Sequence, residues 1–158
     1  MLRAATLAWV AVILWVTLNP EQPTDGRWVR DALSWWTERG LPAWVTYDVV
    51  EFTANVALFL PFGLLLSLVL RGPLSERSES KGARGSSSRE AAYRDLPALP
   101  LLTPTVLSLA LSLSIEFTQS AFLPARFATG SDLLANTVGG FLGAALVVIW
   151  PRRRALPR

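Results

Sequence analysis

The sequence predicts an all-α, polytopic membrane protein, and two observations lead to that fold class. Of its 158 residues, 51% are hydrophobic and only 17% are charged, whereas about a quarter of an ordinary soluble domain is charged. The apolar residues are also gathered into long uncharged runs, and a run of roughly 20 such residues crosses the hydrocarbon core of a bilayer as a helix. We therefore expect a single membrane domain over residues 1–158, with four transmembrane helices arranged as two hairpins.

The four expected spans cover residues 4–18, 52–70, 96–115 and 133–150. The first is short, but the Arg3 side chain can extend to the interface and Trp15 can anchor the far end. A cleaved signal peptide has a similar charged start and apolar centre, but no small-residue cleavage pattern follows this run. We therefore interpret the first run as a membrane helix.

Two connecting segments have distinct compositions. Residues 25–39 place tryptophans and aliphatic residues against charged ones, and Gly40 and Pro42 follow, which predicts a short amphipathic helix. It lies in the outer membrane interface, where tryptophan is favoured, or forms a lid that packs on the bundle. Residues 71–95 are rich in Ser, Gly and mixed charge, and we expect a disordered cytoplasmic linker there.

The distribution of basic residues predicts the orientation. With four spans, all but four of the 15 Lys and Arg residues fall on the side that holds both termini and residues 71–95. The positive-inside rule places that side in the cytoplasm, so we expect a multi-pass protein of the cell membrane with both termini cytoplasmic. Topology and attraction to anionic lipids account for the basic excess, and we expect no nucleic-acid partner.

The missing residue types exclude much chemistry. The chain has no cysteine and no histidine, which rules out disulfides, thiolate or imidazole metal sites, and histidine-dependent triads. We expect no metal and no cofactor, and carboxylates, amides, hydroxyls and arginine remain as functional groups.

Polar residues recur at the outer ends of three spans. An ionisable or amide group inside a bilayer is costly and normally faces other helices or a cavity. Helical spacing places such groups on one face of each span and at one depth, about one turn inside the interface. The residues that we expect to form a shared ligand-binding pocket or polar network are Asn55, Glu116, Gln119, Arg126, Asp132 and Asn136.

Glycine and proline indicate how the spans pack. Gly139 and Gly143 form a GxxxG motif on the Asn136 face, so a neighbouring helix can approach closely. Pro61 is expected to kink the second span, and Gly63 follows it. The segments EFTAN and DLLAN, at 51–55 and 132–136, suggest two hairpins related by a pseudo-two-fold axis.

These residues resemble the VanZ-like membrane proteins, a family named for a determinant of teicoplanin resistance. The likeness is collinear over residues 55–143 and rests on Asn55 with FLPFGLLL, on SIEFTQ, on Arg126 and on DLLANTVGGFLG. The family commonly has an acidic residue where this chain has Thr129, which argues against a mechanism that needs two carboxylates in the last loop. The resemblance implies location and fold more than chemistry.

Three functional hypotheses remain open. In the first, Arg126 with Glu116 or Asp132 binds a phosphate or carboxylate of an envelope lipid or lipid-linked glycan, because arginine matches phosphate in a bidentate manner. The resemblance implies reduced susceptibility to lipoglycopeptides such as teicoplanin as a consequence. In the second, Glu116 and Asp132 act as acid and base of an intramembrane enzyme, but no nucleophile motif accompanies them. In the third, the polar residues only hold helices together. We favour binding over catalysis, with membrane lipids, a lipid-linked cell-wall precursor or a lipoglycopeptide as partners.

Overall fold

A computed structural model describes residues 1–19, 27–81, 99–123 and 130–150, and all regular elements in these ranges are helices. They are α1 (Leu2–Leu18), α2 (Arg27–Thr37), α3 (Tyr47–Lys81), α4 (Leu99–Phe122) and α5 (Gly130–Ile149).

Three of these helices contain segments that are long and apolar enough to cross a membrane, namely Tyr47–Leu70, Pro100–Phe122 and Gly130–Ile149. The apolar α1 is shorter, with 17 residues. The predicted all-helical membrane protein is therefore confirmed at this level. A fourth span formed by α1 and an interfacial position of α2 remain predictions.

Two helices extend beyond their predicted spans. Helix α4 continues past residue 115 to Phe122, and α3 continues past residue 70 to Lys81, into the segment expected to be a disordered linker. A predicted span ends where the apolar side chains end, whereas a helix can continue beyond that point. Residues 71–81 belong to α3 in the structure, residues 82–95 lie outside the described residues, and the disordered linker remains a prediction.

Hydrogen bonds between helices establish which ends lie together. Gln119 Nε2 donates to the Thr17 carbonyl at 2.9 Å, which joins the C-terminal ends of α4 and α1. The N-terminal halves of α3 and α5 meet at the same end of the bundle, because Asn55 Nδ2 donates to Asp132 Oδ1 at 2.8 Å. Helices α1 and α4 thus run antiparallel to α3 and α5. We call this end, where α3 and α5 begin, the polar end.

Helices α3 and α5 pack backbone against backbone. A Cβ atom added at Gly143 would overlap the Leu60 carbonyl, and one at Gly139 would overlap the Val56 carbonyl. On the other side of the contact, Gly63 lies against the backbone of Gly140. Small residues allow this approach, and the two helices then make direct van der Waals contact with each other in place of contacts with lipid.

Side chains of neighbouring helices donate to backbone carbonyls, and one of these carbonyls is released by proline. Pro104 lies inside α4 and cannot donate to the carbonyl four residues earlier, at Pro100. The Ser67 hydroxyl of α3, which is fully buried, donates to that carbonyl at 3.2 Å. Near Pro61, the Trp9 indole of α1 donates to the Leu58 carbonyl at 2.9 Å. Helix α3 continues through Pro61, and the expected kink remains a prediction.

An apolar core seats α1 against α3 and α4. Ile13 of α1 is fully buried against Phe59 and Phe62 of α3 and Ile115 of α4. The rings of Phe59 and Phe62 meet edge to face, with centroids 6.3 Å apart.

Helix α2 touches α3 only lightly. The Arg30 guanidinium lies 4.7 Å from the centre of the Tyr47 ring. Gly40, with φ of 102°, terminates the helix in a Schellman motif, in which Leu41 N–H donates to the Trp36 carbonyl and Gly40 N–H to the Thr37 carbonyl. Trp28, Trp35 and Trp36 are all exposed, which is unlike a lid packed on the bundle.

We expect Gly143→Ala to lower the melting temperature in detergent, because the new methyl group forces α3 and α5 apart. Overpacking of this kind costs about 1–3 kcal/mol. The control is Gly130→Ala in the same helix, because a Cβ atom there meets nothing within 4 Å. Equal melting temperatures for the two variants would contradict the described contact.

Candidate functional site

The candidate site lies at the polar end and has two layers. The upper layer joins α3 to α5: Asn55 Nδ2 donates to Asp132 Oδ1 at 2.8 Å, and both residues are half-buried. Asp132 belongs to the first turn of α5, where a negative charge is favoured by the helix dipole. The amide and the carboxylate therefore satisfy each other where the two helices begin.

The lower layer joins α5 to α4. Asn136 Nδ2 donates to Ser112 Oγ at 2.8 Å. Asn136 is 5% exposed, and Ser112 is fully buried. Asn136 follows Asp132 by one helical turn, or about 6 Å along the axis.

The expectation of a single depth for Asn55, Glu116 and Asn136 is therefore not met. Depth was counted from the edge of each apolar run, whereas the helices themselves begin and end at different distances from those edges. Asn55 and Asp132 share the upper layer, and Asn136 with Ser112 lies one turn deeper.

Glu116 connects the layers without a hydrogen bond of its own. It follows Ser112 by one turn of α4, and its charge acts electrostatically on Asp132. Glu116 Oε1 is buried and has no hydrogen-bond partner among the described residues, and the same holds for Asn136 Oδ1. Both atoms are hydrogen-bond acceptors, so each lacks a donor. Burial without a donor costs about 1–3 kcal/mol per group, more when the group is charged.

Gln119 has a different position from the one the sequence suggested. Its amide donates to the Thr17 carbonyl in the last turn of α1, where backbone carbonyls have no partner within the helix. Within the described part of the chain Gln119 therefore joins α1 to α4 rather than lining the two layers.

Carboxylates gather at the rim of the site. Glu51 interacts electrostatically with Asp132 and accepts a hydrogen bond from the Tyr47 hydroxyl at 3.3 Å. Together with Glu116, these groups place three carboxylates at one end of the bundle, and the Arg30 guanidinium acts on Glu51 with the opposite charge. No set of residues in the described ranges forms a cluster that could hold a metal ion. The described geometry is thus rich in hydrogen-bond acceptors.

Two residues named from the sequence fall outside the described residues. Arg126 and Thr129 both belong to residues 124–129, between α4 and α5. Their roles remain sequence-based predictions.

The hydrogen bonds do not follow the suggested two-fold relation. A two-fold axis that relates EFTAN to DLLAN would pair Asn136 with Glu51, as Asn55 pairs with Asp132. Asn136 instead donates to Ser112 of α4. The short sequence repeat therefore does not extend to the polar contacts.

Sequence reasoning did not single out several residues that shape this end of the bundle or its packing. Ser67 and Thr17 were not proposed. Gly140, which contacts both Gly63 and Ser108, follows from the sequence only as a neighbour of the GxxxG motif on the Asn136 face. The only signal for Ser67 was indirect, since Pro104 in an apolar run implies a free carbonyl that needs a donor. A backbone acceptor such as the Thr17 carbonyl cannot be predicted from the sequence, because every residue type has the same carbonyl group.

Comparison with known proteins gives one finding. The sequence model described as VanZ/LLP1 matches residues 6–151, which is most of the chain. Comparison with curated proteins and with solved structures gives no significant match.

We expect Asn55→Ala to lower the melting temperature, because Asp132 loses a hydrogen-bond donor inside the bundle. The loss should be about 1 kcal/mol, since hydrogen bonds between membrane helices contribute that order of free energy. Thermal unfolding followed by circular dichroism in detergent measures it.

Glu116→Gln serves as the contrast in the same experiment. Glu116 Oε1 makes no hydrogen bond among the described residues, and glutamine removes a charge while supplying a donor. We expect its melting temperature to equal or exceed that of the wild type. A marked decrease would indicate that Glu116 belongs to a satisfied structural network.

Proposed function

Because the chain belongs to the VanZ/LLP1 family of membrane proteins, we propose that it recognises the polar headgroup of an envelope lipid or lipid-linked glycan near the outer leaflet. The observation that carries the proposal is the pair of buried acceptors, Glu116 Oε1 and Asn136 Oδ1, that the described residues leave without a donor. A structural network satisfies its own members, whereas a binding site keeps groups available for its ligand.

The position of the site supports a ligand that belongs to the membrane. Its residues lie in the end portions of three helices that are long and apolar enough to cross a membrane, and we propose that this level is where lipid headgroups meet the hydrocarbon. Large apolar side chains such as Phe117 and Leu134 are exposed near the same end, so acyl chains can pack beside the site. A headgroup can then enter while its chains remain in the bilayer.

Helix α2 is suited to hold this end at the interface. Trp28, Trp35 and Trp36 are exposed on it, and the Arg39 guanidinium lies 3.6 Å from the centre of the Trp35 ring. Tryptophan is favoured at the boundary between headgroups and acyl chains. We propose that α2 rests in the outer interface beside the mouth of the site.

Arg126 would supply the positive charge in this proposal. In the sequence it belongs to the segment that connects α4, which carries Gln119, to α5, which carries Asp132. A guanidinium binds phosphate through paired hydrogen bonds. Reduced access of a lipoglycopeptide such as teicoplanin to its lipid-anchored target is the proposed consequence of such binding.

We expect the wild-type protein, purified in mild detergent, to retain a phosphate-bearing lipid in native mass spectrometry, and Arg126→Ala and Asn136→Ala to lose it. The matched control is Arg3→Ala, because Arg3 is exposed at the N-terminal end of α1, whereas the C-terminal end of α1 lies at the polar end. Circular dichroism checks that every variant is folded.

Retention of the same lipid by Arg126→Ala would remove the phosphate part of the proposal. A lipid recovered in chemically altered form would instead support an enzyme that uses Glu116 and Asp132.

The orientation has an independent test. The chain contains no cysteine, so a single introduced thiol reports one position. We expect Ser34→Cys in α2 to react with a membrane-impermeant maleimide in intact cells, and Ser86→Cys in the predicted cytoplasmic linker to react only after permeabilisation. The reverse pattern would place the polar end at the inner leaflet.

A further inference from the structure

The buried acceptor atoms without a donor indicate which chemical group a ligand of this site offers. This inference rests on the proposed headgroup recognition. We propose that a primary ammonium of the ligand lies between α4 and α5 and donates hydrogen bonds to Glu116 Oε1 and Asn136 Oδ1. This deepens the proposed function, because it assigns a chemical class to the part of the ligand that enters deepest.

The first argument is that the missing partner is a donor. The described amides at this end direct N–H groups to protein acceptors: Asn55 to Asp132, Asn136 to Ser112 and Gln119 to the Thr17 carbonyl. The atoms left over are oxygens that only accept, and Asn136 is 5% exposed, too deep for bulk water. A ligand group that only accepts, such as a phosphate oxygen, does not satisfy them.

The second argument concerns charge. Glu116 and Asp132 interact electrostatically, and Glu51 interacts with Asp132 in turn. The Arg30 guanidinium offsets part of the repulsion at Glu51, and a further cation beside Glu116 relieves the repulsion between Glu116 and Asp132. A charged donor is therefore favoured over a neutral hydroxyl.

The third argument distinguishes an ammonium from other cations. The described residues contain no cluster of ligands that could hold a metal ion. A primary ammonium needs only hydrogen-bond acceptors, and it carries three N–H donors on one small centre. A trimethylammonium has the same charge but no N–H donor, so it leaves both oxygens unpaired.

Access from the membrane surface is consistent with this ligand. Glu116 and Asp132 are half-buried rather than enclosed, and Asn136 lies one turn below Asp132 on the same face of α5. An ammonium at the end of a lipid headgroup can pass the carboxylates before it reaches the amide.

The test compares two zwitterionic lipids that differ at nitrogen. The full-length protein is placed in nanodiscs of phosphatidylglycerol with equal amounts of phosphatidylethanolamine and phosphatidylcholine, and the co-purifying lipids are quantified after transfer to detergent. We expect wild-type protein to retain phosphatidylethanolamine over phosphatidylcholine by roughly tenfold, the ratio expected from one charge-assisted hydrogen bond. Glu116→Gln should reduce that ratio to near one, whereas Glu38→Gln, an exposed residue, should leave it unchanged.

A soluble arm identifies the source of the amine. Phosphoethanolamine added in excess displaces the retained lipid if the headgroup alone suffices, and leaves it in place if the acyl chains are also required; both results support the inference. Equal retention of the two lipids by the wild type overturns it, as does a preference that Glu116→Gln leaves intact, because the amine is then bound at another place. The comparison of the two lipids in the wild-type protein does not depend on whether any variant folds.

The two proposals fail separately. If the wild-type protein retains lipid without regard to the amine, the ammonium inference fails and headgroup recognition stands. If it retains no lipid, both fail.

Discussion

The contact between α3 and α5 is the constraint on which the rest of the structure depends. Gly139 and Gly143 bring the α5 backbone against the carbonyls of Val56 and Leu60, and no larger residue permits this distance. The same approach places Asn55 within hydrogen-bonding distance of Asp132. Gly140 faces Ser108 as well, so α4 also packs against the glycine face of α5. A packing motif therefore determines where the polar side chains meet.

Most buried polar groups of the bundle have a hydrogen-bond partner, because an unpaired polar group is costly in the hydrocarbon of a bilayer. Where proline interrupts a helix, a side chain of another helix supplies the missing donor, as Ser67 does for the Pro100 carbonyl. Trp9 and Gln119 likewise donate to backbone carbonyls across helix boundaries. Against this background, Glu116 Oε1 and Asn136 Oδ1 are the buried side-chain oxygens without a hydrogen bond in the part of the chain that the structure describes. Our functional proposal rests on the two atoms together rather than on either alone.

Membership of the VanZ/LLP1 family and the described chemistry address different parts of the function. The family establishes the kind of membrane protein, and the geometry indicates which chemical groups the proposed ligand must offer. The buried acceptors, together with Arg126 between α4 and α5 in the sequence, suit the proposed zwitterion, in which an ammonium and a phosphate are joined by a short linker. Phosphate recognition by Arg126 and ammonium recognition by Glu116 are then complementary rather than competing proposals.

The sequence by itself determined the helical membrane class and the terminating role of Gly40, and it named Asn55, Glu116, Asp132 and Asn136, which the structure brings to the polar end. Those features follow from local composition, because hydrophobic length, glycine conformation and the cost of intramembrane charge are properties of short segments. Only the tertiary structure decided that Asn55 pairs with Asp132, that Asn136 turns to Ser112, and that Gln119 holds α1. Pairing depends on how far each helix slides and turns against its neighbours, and glycine contacts with backbone carbonyls set that register. Residue spacing along one helix does not contain this information.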